Sequence, residues 1–203
     1  YEVPFLAHAA MEPINCTALI KDGKCEVWVS TQVPSIAQWK ASKAAGVSSD
    51  NTIIHTTLLG GGFGRRLEID MIEQVVHIAK QLGGRPVQMI WTREEDMQHD
   101  MYRPIAMSKF VGALDDKGQI SAWTNRVAAP SVGFDTMQRL MGSMAMDIKK
   151  KNHIEGAFDQ PYEIANMKIE QVRSKTPVPV GSWRSVGHSY NAFFVESFMD
   201  EMA

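Results

Sequence analysis

A run of glycines followed by two arginines is the first feature of the sequence that could carry chemistry. Residues 60–66 read GGGFGRR, after a β-branched-rich segment predicted as a strand over residues 51–59 and before a segment of helical periodicity. Backbone N–H groups of such a loop can bind an anion, naturally phosphate, and a helix start adds partial positive charge. Two known phosphate-binding motifs do not match this loop. The dinucleotide-binding motif GxGxxG would require glycine at Arg65 or Leu67, and the Walker A motif would require Lys followed by Ser or Thr. We expect an anion between Arg65 and Arg66 or, alternatively, a glycine turn that packs strand against helix.

A second candidate is the loop of residues 181–188, which reads GSWRSVGH. It follows the breaks at Pro177 and Pro179 and precedes a predicted helix, so Arg184 is presented on a loop. A guanidinium at this position could clamp a carboxylate, a phosphate or an oxo group. The alternative is a surface arginine that lies along Trp183.

The segment HAAMEP at residues 8–13 places a histidine and a carboxylate four residues apart. His8 and Glu12 could form an acid–base pair or ligate a metal, or they could be structural. The segment 94–96 indicates a solvated turn face or a helix start, and the methionine-rich stretch that includes Met146 is expected to fill the core. The other histidines lack HExxH or paired spacing and are expected to be bystanders: His55, His77, His99, His153 and His188.

A hairpin is predicted over residues 17–30, because Asp22-Gly23 is a strong type I′ turn signal. This turn pairs Lys21 with Lys24 and Ile20 with Cys25. Cys16 and Cys25 therefore do not face each other, so no disulfide is expected, and two cysteines without CxxC cannot build a zinc or iron–sulfur site.

The remaining pattern alternates between strands and helices. Hairpins mixed with crossover helices predict an α+β fold with a mixed β-sheet. The irregular stretch 130–162 is the candidate internal boundary of what is otherwise one domain over residues 1–203. We predict helices over 35–45, from 69 to the glycines at 83–84, and over 189–202; strands over 86–91 and 166–176; a hairpin of 105–114 with 119–128; and a polar turn over 93–100.

Composition excludes several classes of function. The 203 residues are 44% hydrophobic and 22% charged with a formal net charge of −2, and the longest run of like charges is Lys149–Lys151. Nucleic acid is therefore not an expected partner. No window approaches about 18 consecutive apolar residues, so no membrane span is expected. The chain starts at Tyr1 without an initiator methionine, and we expect it to be a piece of a larger protein.

Five segments, taken in order, resemble the large molybdenum-cofactor subunit of the xanthine dehydrogenase and aldehyde oxidase family. The likeness is to the branch of isoquinoline 1-oxidoreductase beta subunits and related bacterial aldehyde dehydrogenases. These segments span nearly the whole chain, and the glycine motif is specific to the family. They are residues 8–13, 27–34 (VWVSTQVP), 60–66, 91–97 (WTREEDM) and 183–188.

The resemblance implies site residues. The backbone around Phe63 would approach the molybdenum and its pterin, the Phe63 ring would wall the substrate pocket, and Arg184 would face substrate near the metal. This chain departs from the family pattern in two places. Ser185-Val186 replaces the usual Gly-Phe, and Leu6 stands where many members have a glutamine. The implied cofactor-binding residues are Gly60, Gly61, Gly62, Phe63, Gly64 and Arg65.

The resemblance also implies a reaction: hydroxylation of an N-heteroaromatic or an aldehyde with water as the oxygen source. The cofactor would be a molybdenum–pterin, either molybdopterin or its cytosine dinucleotide, and 2Fe–2S clusters would lie on a partner subunit. The glutamate base of the family belongs to a later Gly-Glu segment beyond Ala203, so we expect the isolated chain to be inactive. The alternative is a non-enzymatic binding or assembly module that has lost the cofactor. Export of the folded parent to the periplasm is expected rather than a cytoplasmic location.

Overall fold

The computed structural model describes residues 1–144 and 152–203, so Lys149–Lys151 and Met146 lie outside the described residues. The chain forms two compact units. We call Ala7–Asp100 the central unit, and Tyr1–Leu6 together with Met101–Ala203 the terminal unit. The candidate boundary over 130–162 includes residues that are not described and stays a prediction.

The secondary structure follows the predicted alternation of strands and helices. In chain order the elements are β1 (Glu2–Val3), β2 (Asn15–Lys21), β3 (Lys24–Val29), α1 (Pro34–Ala45), β4 (Thr52–Thr56), α2 (Asp70–Lys80), β5 (Val87–Ile90), α3 (Arg93–Gln98), β6 (Ala106–Leu114), β7 (Ile120–Ala129), α4 (Val132–Met141), β8 (Asn166–Arg173) and α5 (His188–Met202).

The central unit contains a four-stranded sheet in the order β4-β3-β2-β5, in which only β3 and β4 are parallel. Alternate residues of β2 and β3 are buried, and α2 packs against β2 and α1. The predicted hairpin register is confirmed, with Lys21 opposite Lys24 and Ile20 opposite Cys25. Both cysteines are buried free thiols, and burial raises their pKa to about 12 for Cys16 and about 11 for Cys25.

The terminal unit contains the second sheet, in the order β1-β6-β7-β8. The β6–β7 hairpin is confirmed, and β8 pairs parallel to β7. Helix α5 contributes Tyr190 and Phe194 to a core that also includes Val127 and Ile154. Two mixed sheets with hairpins and packed helices confirm the predicted α+β class.

Two stretches differ from the sequence prediction. Residues 93–98, expected to lie in a polar turn, form helix α3, which confirms the helix-start alternative for 94–96; Thr92 is the N-cap and accepts a hydrogen bond from the Glu95 N–H. Asp96 is buried rather than solvated and accepts hydrogen bonds from the Ile14 N–H and from Arg93. The predicted strand over 51–59 is shorter, since β4 ends at Thr56 before the chain leaves the sheet. Among the described residues, no helix combines the length and apolar character needed to cross a membrane.

Candidate functional site

The glycine loop connects β4 to α2 in the central unit, and Glu12 holds it in place. The Gly60 N–H donates to Glu12 Oε2 at 2.9 Å, and the Glu12 N–H donates to the Gly60 carbonyl at 3.0 Å. Asn15 and Ser30 also donate to the Glu12 carboxylate, at 2.7 and 3.2 Å. These hydrogen bonds, together with Arg66, outweigh the effect of burial and lower the pKa of Glu12. An ionised Glu12 therefore joins the HAAMEP segment to the loop.

Close packing requires glycine at the start of the loop. A Cβ at Gly60 would lie 2.4 Å from Glu12 Cβ, and a Cβ at Gly62 would lie 2.7 Å from Gln32 Oε1. Gly61 has a φ of 102°, a conformation that L side chains rarely adopt. The sequence analysis gave a tightly packed glycine turn as the alternative to an anion site. Close packing accounts for these glycines, because they let the loop approach its neighbours.

The same packing leaves three consecutive backbone donors unpaired. The Gly64 N–H donates to Gln32 Oε1 at 3.2 Å, and the Arg65 N–H donates to the Gly62 carbonyl at 2.8 Å. The N–H groups of Gly61, Gly62 and Phe63 make no hydrogen bond within the part of the chain that the structure describes. Unpaired N–H groups in succession suit a ligand with electron-rich acceptor atoms.

Arg65 and Arg66 have partners within the chain. Arg65 makes a bidentate ion pair with Asp70 at 3.0 and 2.9 Å, and its Nε lies 2.9 Å from Asp100 Oδ1. Arg66 lies 3.2 Å from Glu12 Oε2 and donates to the Glu12 carbonyl at 2.9 Å. Burial alone would lower the pKa of Arg65, but Asp70 and Asp100 raise it, whereas burial lowers the pKa of Arg66.

The expectation of an external anion between the two guanidiniums stays a prediction. Both side chains are almost fully buried, with 2% and 1% of their surface exposed, and each pairs with different carboxylates of the chain. The backbone N–H of Arg65 is also engaged, so its assignment as a cofactor-binding residue finds no polar group to support it. We assign Arg65 to the support of the loop instead.

His8 and Glu12 do not pair with each other. The His8 ring places Nδ1 2.9 Å from Asp100 Oδ2, and its backbone N–H donates to the same carboxylate. Burial would raise the pKa of Asp100, but the hydrogen bonds from His8 and the charge of Arg65 lower it. The described residues contain no cluster of His, Cys, Asp or Glu that could hold a metal ion. The structural alternative for this segment is therefore the one observed.

Sequence reasoning missed Asp100, which connects His8 to Arg65. Its partners lie 92 and 35 residues away along the chain, and no local motif marks it. Gln32 accepts a hydrogen bond from the Gly64 N–H. In the sequence it is marked only by its place in the family segment 27–34.

The terminal unit presents Arg184 on the loop before α5. Arg184 is exposed, and the next two residues have a positive φ, 70° at Ser185 and 50° at Val186. A β-branched residue in this region is strained. The cation that lies over the Trp183 ring is Arg103, with 6.0 Å from its guanidinium carbon to the ring centroid.

A cavity of about 400 Å³ lies beside this loop within the terminal unit. Ser131, Ser182 and His153 are among its polar lining residues. Its apolar wall is formed by Val132, Phe134, Met137, Trp183, Val186 and Tyr190.

Backbone strain coincides with the motifs found in the sequence. Among the described residues, the non-glycine positions with positive φ are Asp22 of the hairpin turn, Ala9, Phe63, Ser185 and Val186. The last four lie in the HAAMEP, glycine-loop and Arg184 segments. Strain of about 1–3 kcal/mol per residue is typical of functional sites.

The site residues predicted from the sequence fall in different units. Residues Gly60–Arg65 lie in the central unit, and Arg184 lies in the terminal unit.

Each unit carries a strained loop with a sequence motif, and comparison with known proteins identifies the family of the chain. The molybdopterin cofactor-binding domain family matches residues 1–203, and the chain belongs to that family. It is 32% identical over 210 residues to the membrane-bound aldehyde dehydrogenase [pyrroloquinoline-quinone] of Gluconacetobacter polyoxogenes. It is also 32% identical over 202 residues to the isoquinoline 1-oxidoreductase subunit beta of Brevundimonas diminuta.

Solved structures confirm the fold. Quinoline 2-oxidoreductase from Pseudomonas putida superposes with a TM-score of 0.80 at 19% identity, over 100% of this chain and 25% of that one. The aldehyde oxidoreductase from Desulfovibrio desulfuricans gives 0.77 at 18% identity, over 100% and 22%. The two sequence relatives are matched over 100% and 96% of this chain but only 27% and 25% of their own lengths. The chain therefore spans about a quarter of these proteins.

Proposed function

We propose that this chain is the cofactor-binding portion of a molybdenum hydroxylase. The whole protein would hydroxylate an N-heteroaromatic compound or an aldehyde with water as the oxygen source. The observation that carries this proposal is the row of N–H groups at Gly61, Gly62 and Phe63 that have no partner among the described residues, whereas the N–H groups of Gly60, Gly64 and Arg65 are engaged.

The loop suits a molybdenum–pterin group. Such a group offers oxygen and sulfur acceptors, which the three N–H groups can bind without any charged side chain. When bound, the group supplies the redox chemistry of the hydroxylation. Phe63 is 44% exposed and offers an apolar surface beside the donors. We assign cofactor holding to the backbone of residues 61–63, and loop support to Gly60, Gly64 and Arg65.

Arg184 is proposed to face the substrate. It is exposed on a strained loop, as a cation that meets an incoming polar group must be. Because Ser185 and Val186 replace the usual Gly-Phe, the substrate pocket differs in shape from that of the xanthine-oxidising relatives.

The remaining parts of the machinery are proposed to lie outside this chain. The sequence has two cysteines, too few for a 2Fe–2S cluster, so these clusters would be held by a partner subunit. Electrons would leave through that partner. The general base would come from the remainder of the same subunit, and the isolated chain would be inactive. We also propose that the folded parent is exported to the periplasm.

A second candidate is a binding or assembly module of the same fold without cofactor. The Gluconacetobacter relative is named for a different cofactor, pyrroloquinoline quinone. The three possibilities predict different cofactor contents.

The test is an analysis of the full-length protein purified with its partners. Molybdenum by mass spectrometry and pterin by fluorescence after oxidation should each approach one per polypeptide. Absence of both from a folded complex would favour the assembly module. Pyrroloquinoline quinone in place of molybdenum would overturn the proposal.

A further inference from the structure

The loop that presents Arg184 is held at its start by neighbouring residues of the terminal unit. The Tyr102 N–H donates to the Pro179 carbonyl, and the Gly181 N–H donates to the Tyr102 carbonyl, each at 3.0 Å. A Cβ at Gly181 would lie 2.6 Å from Met101 Cβ, so only glycine lets the two segments approach this closely. The loop therefore starts from a fixed point beside the residues that precede β6.

Arg139 of helix α4 reaches the same point from another side. Its Nη2 donates to the Val180 carbonyl at 2.9 Å and to Thr136 Oγ1 at 3.2 Å. Val180 is fully buried, so a carbonyl that lost this donor would be cut off from water. Because the donor is charged, this hydrogen bond is stronger than one between neutral groups.

Helix α4 is itself attached to the sheet of the terminal unit. The guanidinium carbon of Arg173, on β8, lies 4.1 Å from the centroid of the Phe134 ring. Ser131 is the N-cap of the helix and accepts a hydrogen bond from the Phe134 N–H at 3.4 Å. Arg139 therefore donates to the loop from a helix whose own position is fixed.

The loop needs such anchors because two of its residues are strained. Ser185 and Val186 have φ values of 70° and 50°. Strained backbone of this kind persists only where the surrounding structure determines it. If the start of the loop were released, both residues could relax to negative φ, and the side chain of Arg184 between them and the anchor would change direction.

We propose that Arg139 is a positioning residue for Arg184. Its hydrogen bond to the Val180 carbonyl holds residues 181–187 in the strained conformation that presents the Arg184 guanidinium. The role of Arg184 toward substrate rests on the proposed function, whereas the anchoring of the loop by Arg139 does not depend on it.

The test compares two substitutions on the same helix in the full-length protein. Arg139→Met removes the donors but keeps a long apolar side chain, and Gln138→Met changes an exposed neighbour. Hydrogen exchange followed by mass spectrometry reports the local opening of residues 181–188. We expect Arg139→Met to raise their exchange rate about tenfold, because a hydrogen bond from a charged donor is lost. Gln138→Met should leave the rate unchanged, and Arg139→Lys, which keeps a charged donor, should restore part of the protection.

Turnover of the same proteins is measured with isoquinoline and with benzaldehyde as probes. Arg139→Met should lower kcat/KM at least about fivefold, because a displaced guanidinium no longer meets the substrate in the productive geometry. Molybdenum and pterin content should not change. Arg139→Lys should recover part of the lost kcat/KM, which a substitution that merely loosened the fold would not explain.

Unchanged exchange in Arg139→Met, or an equal increase in Gln138→Met, would overturn the proposal. Raised exchange with unaltered turnover would also overturn it, as would an Arg139→Lys variant that behaves like Arg139→Met. If Arg139→Met does not fold, as judged by thermal unfolding, Arg139→Gln takes its place, since its shorter side chain should not reach Val180. Absence of molybdenum, pterin and turnover from the wild type would contradict the proposed function alone, and the exchange comparison would still decide whether Arg139 holds the loop.

Discussion

The two loops that carry the motifs differ in the groups that they leave available to a ligand. In the central unit the polar side chains around the glycine loop satisfy one another: Glu12 binds Gly60, Arg65 binds Asp70, and Asp100 binds His8. Among the described residues there, the backbone N–H groups of residues 61–63 on the loop itself are left without a partner, as are the buried Nε and Nη1 of Arg66 beneath it. In the terminal unit the loop instead exposes a charged side chain, Arg184.

This contrast suggests a division of labour. Under the proposed function, the backbone donors would bind the cofactor common to the family, and they would tolerate sequence change elsewhere because they depend on loop conformation. Side chains can be exchanged one at a time, so they suit the recognition of substrates that differ between relatives. The substitutions that follow test each half of this division, from the largest expected effect to the smallest.

Asp100→Asn should be the most damaging change to stability. It removes the carboxylate shared by His8 and Arg65 and leaves a buried guanidinium less compensated, which typically costs about 3–5 kcal/mol. Urea unfolding of the full-length protein measures the effect. The exposed Asp50→Asn is the control and should change stability by less than about 0.5 kcal/mol. Equal stability of the two variants would show that the buried network does not support the loop.

Gly60→Ala should remove the cofactor. A Cβ at this position meets Glu12 Cβ at 2.4 Å, so the loop must move away from the HAAMEP segment. We expect at least a tenfold drop in molybdenum and pterin content. Gly118→Ala is the control, because no atom lies within 4 Å of an added Cβ at Gly118. Gly118 has a positive φ and Gly60 does not, so backbone strain alone would make the control the more damaging change. Cofactor loss of the same size in both variants would mean that the effect is general destabilisation.

Glu12→Gln should have a smaller effect on the same loop. The amide keeps an acceptor for the Gly60 N–H but loses the charge opposite Arg66, with an expected cost of about 1–3 kcal/mol. Cofactor content should fall by less than in Gly60→Ala. The surface substitution Glu95→Gln provides the comparison, and a larger loss in it than in Glu12→Gln would contradict the role of the Glu12 carboxylate.

Acid should weaken the same network gradually. The folded-state pKa of Asp100 lies below its usual value, so its contribution to stability is present above that usual value, about 3.9, and is lost as pH falls through the folded pKa. The stability gap between wild type and Asp100→Asn should therefore narrow in urea titrations below about pH 4. A gap that stays constant into strong acid would assign the effect of the substitution to something other than ionisation.

The parts of the fold that were predicted from the sequence depend on local signals. Asp22-Gly23 fixes the hairpin register through its own turn, and Gly46 ends α1 in a left-handed conformation, as its position after the helix predicts. Membership of the molybdopterin-binding family, expected from the five segments taken together, was also confirmed.

The partners of the buried charges could not be predicted in this way. Asp70, the bidentate partner of Arg65, lies only five residues away, but the other two carboxylates, Asp100 for Arg65 and Glu12 for Arg66, lie 35 and 54 residues away. Turn and helix rules contain no information about such distant pairs. For the same reason the burial of Asp96 and of the His153 ring followed only from the folded structure.

The central claim, that backbone donors of the glycine loop hold the cofactor while Arg184 serves the substrate, is tested most directly by one paired measurement. Molybdenum and pterin content and turnover are measured on full-length wild type, Gly60→Ala and Arg184→Ala. The account predicts that Gly60→Ala loses cofactor and activity together, whereas Arg184→Ala keeps its cofactor and loses turnover. Full cofactor content in Gly60→Ala, or cofactor loss in a folded Arg184→Ala, would contradict it.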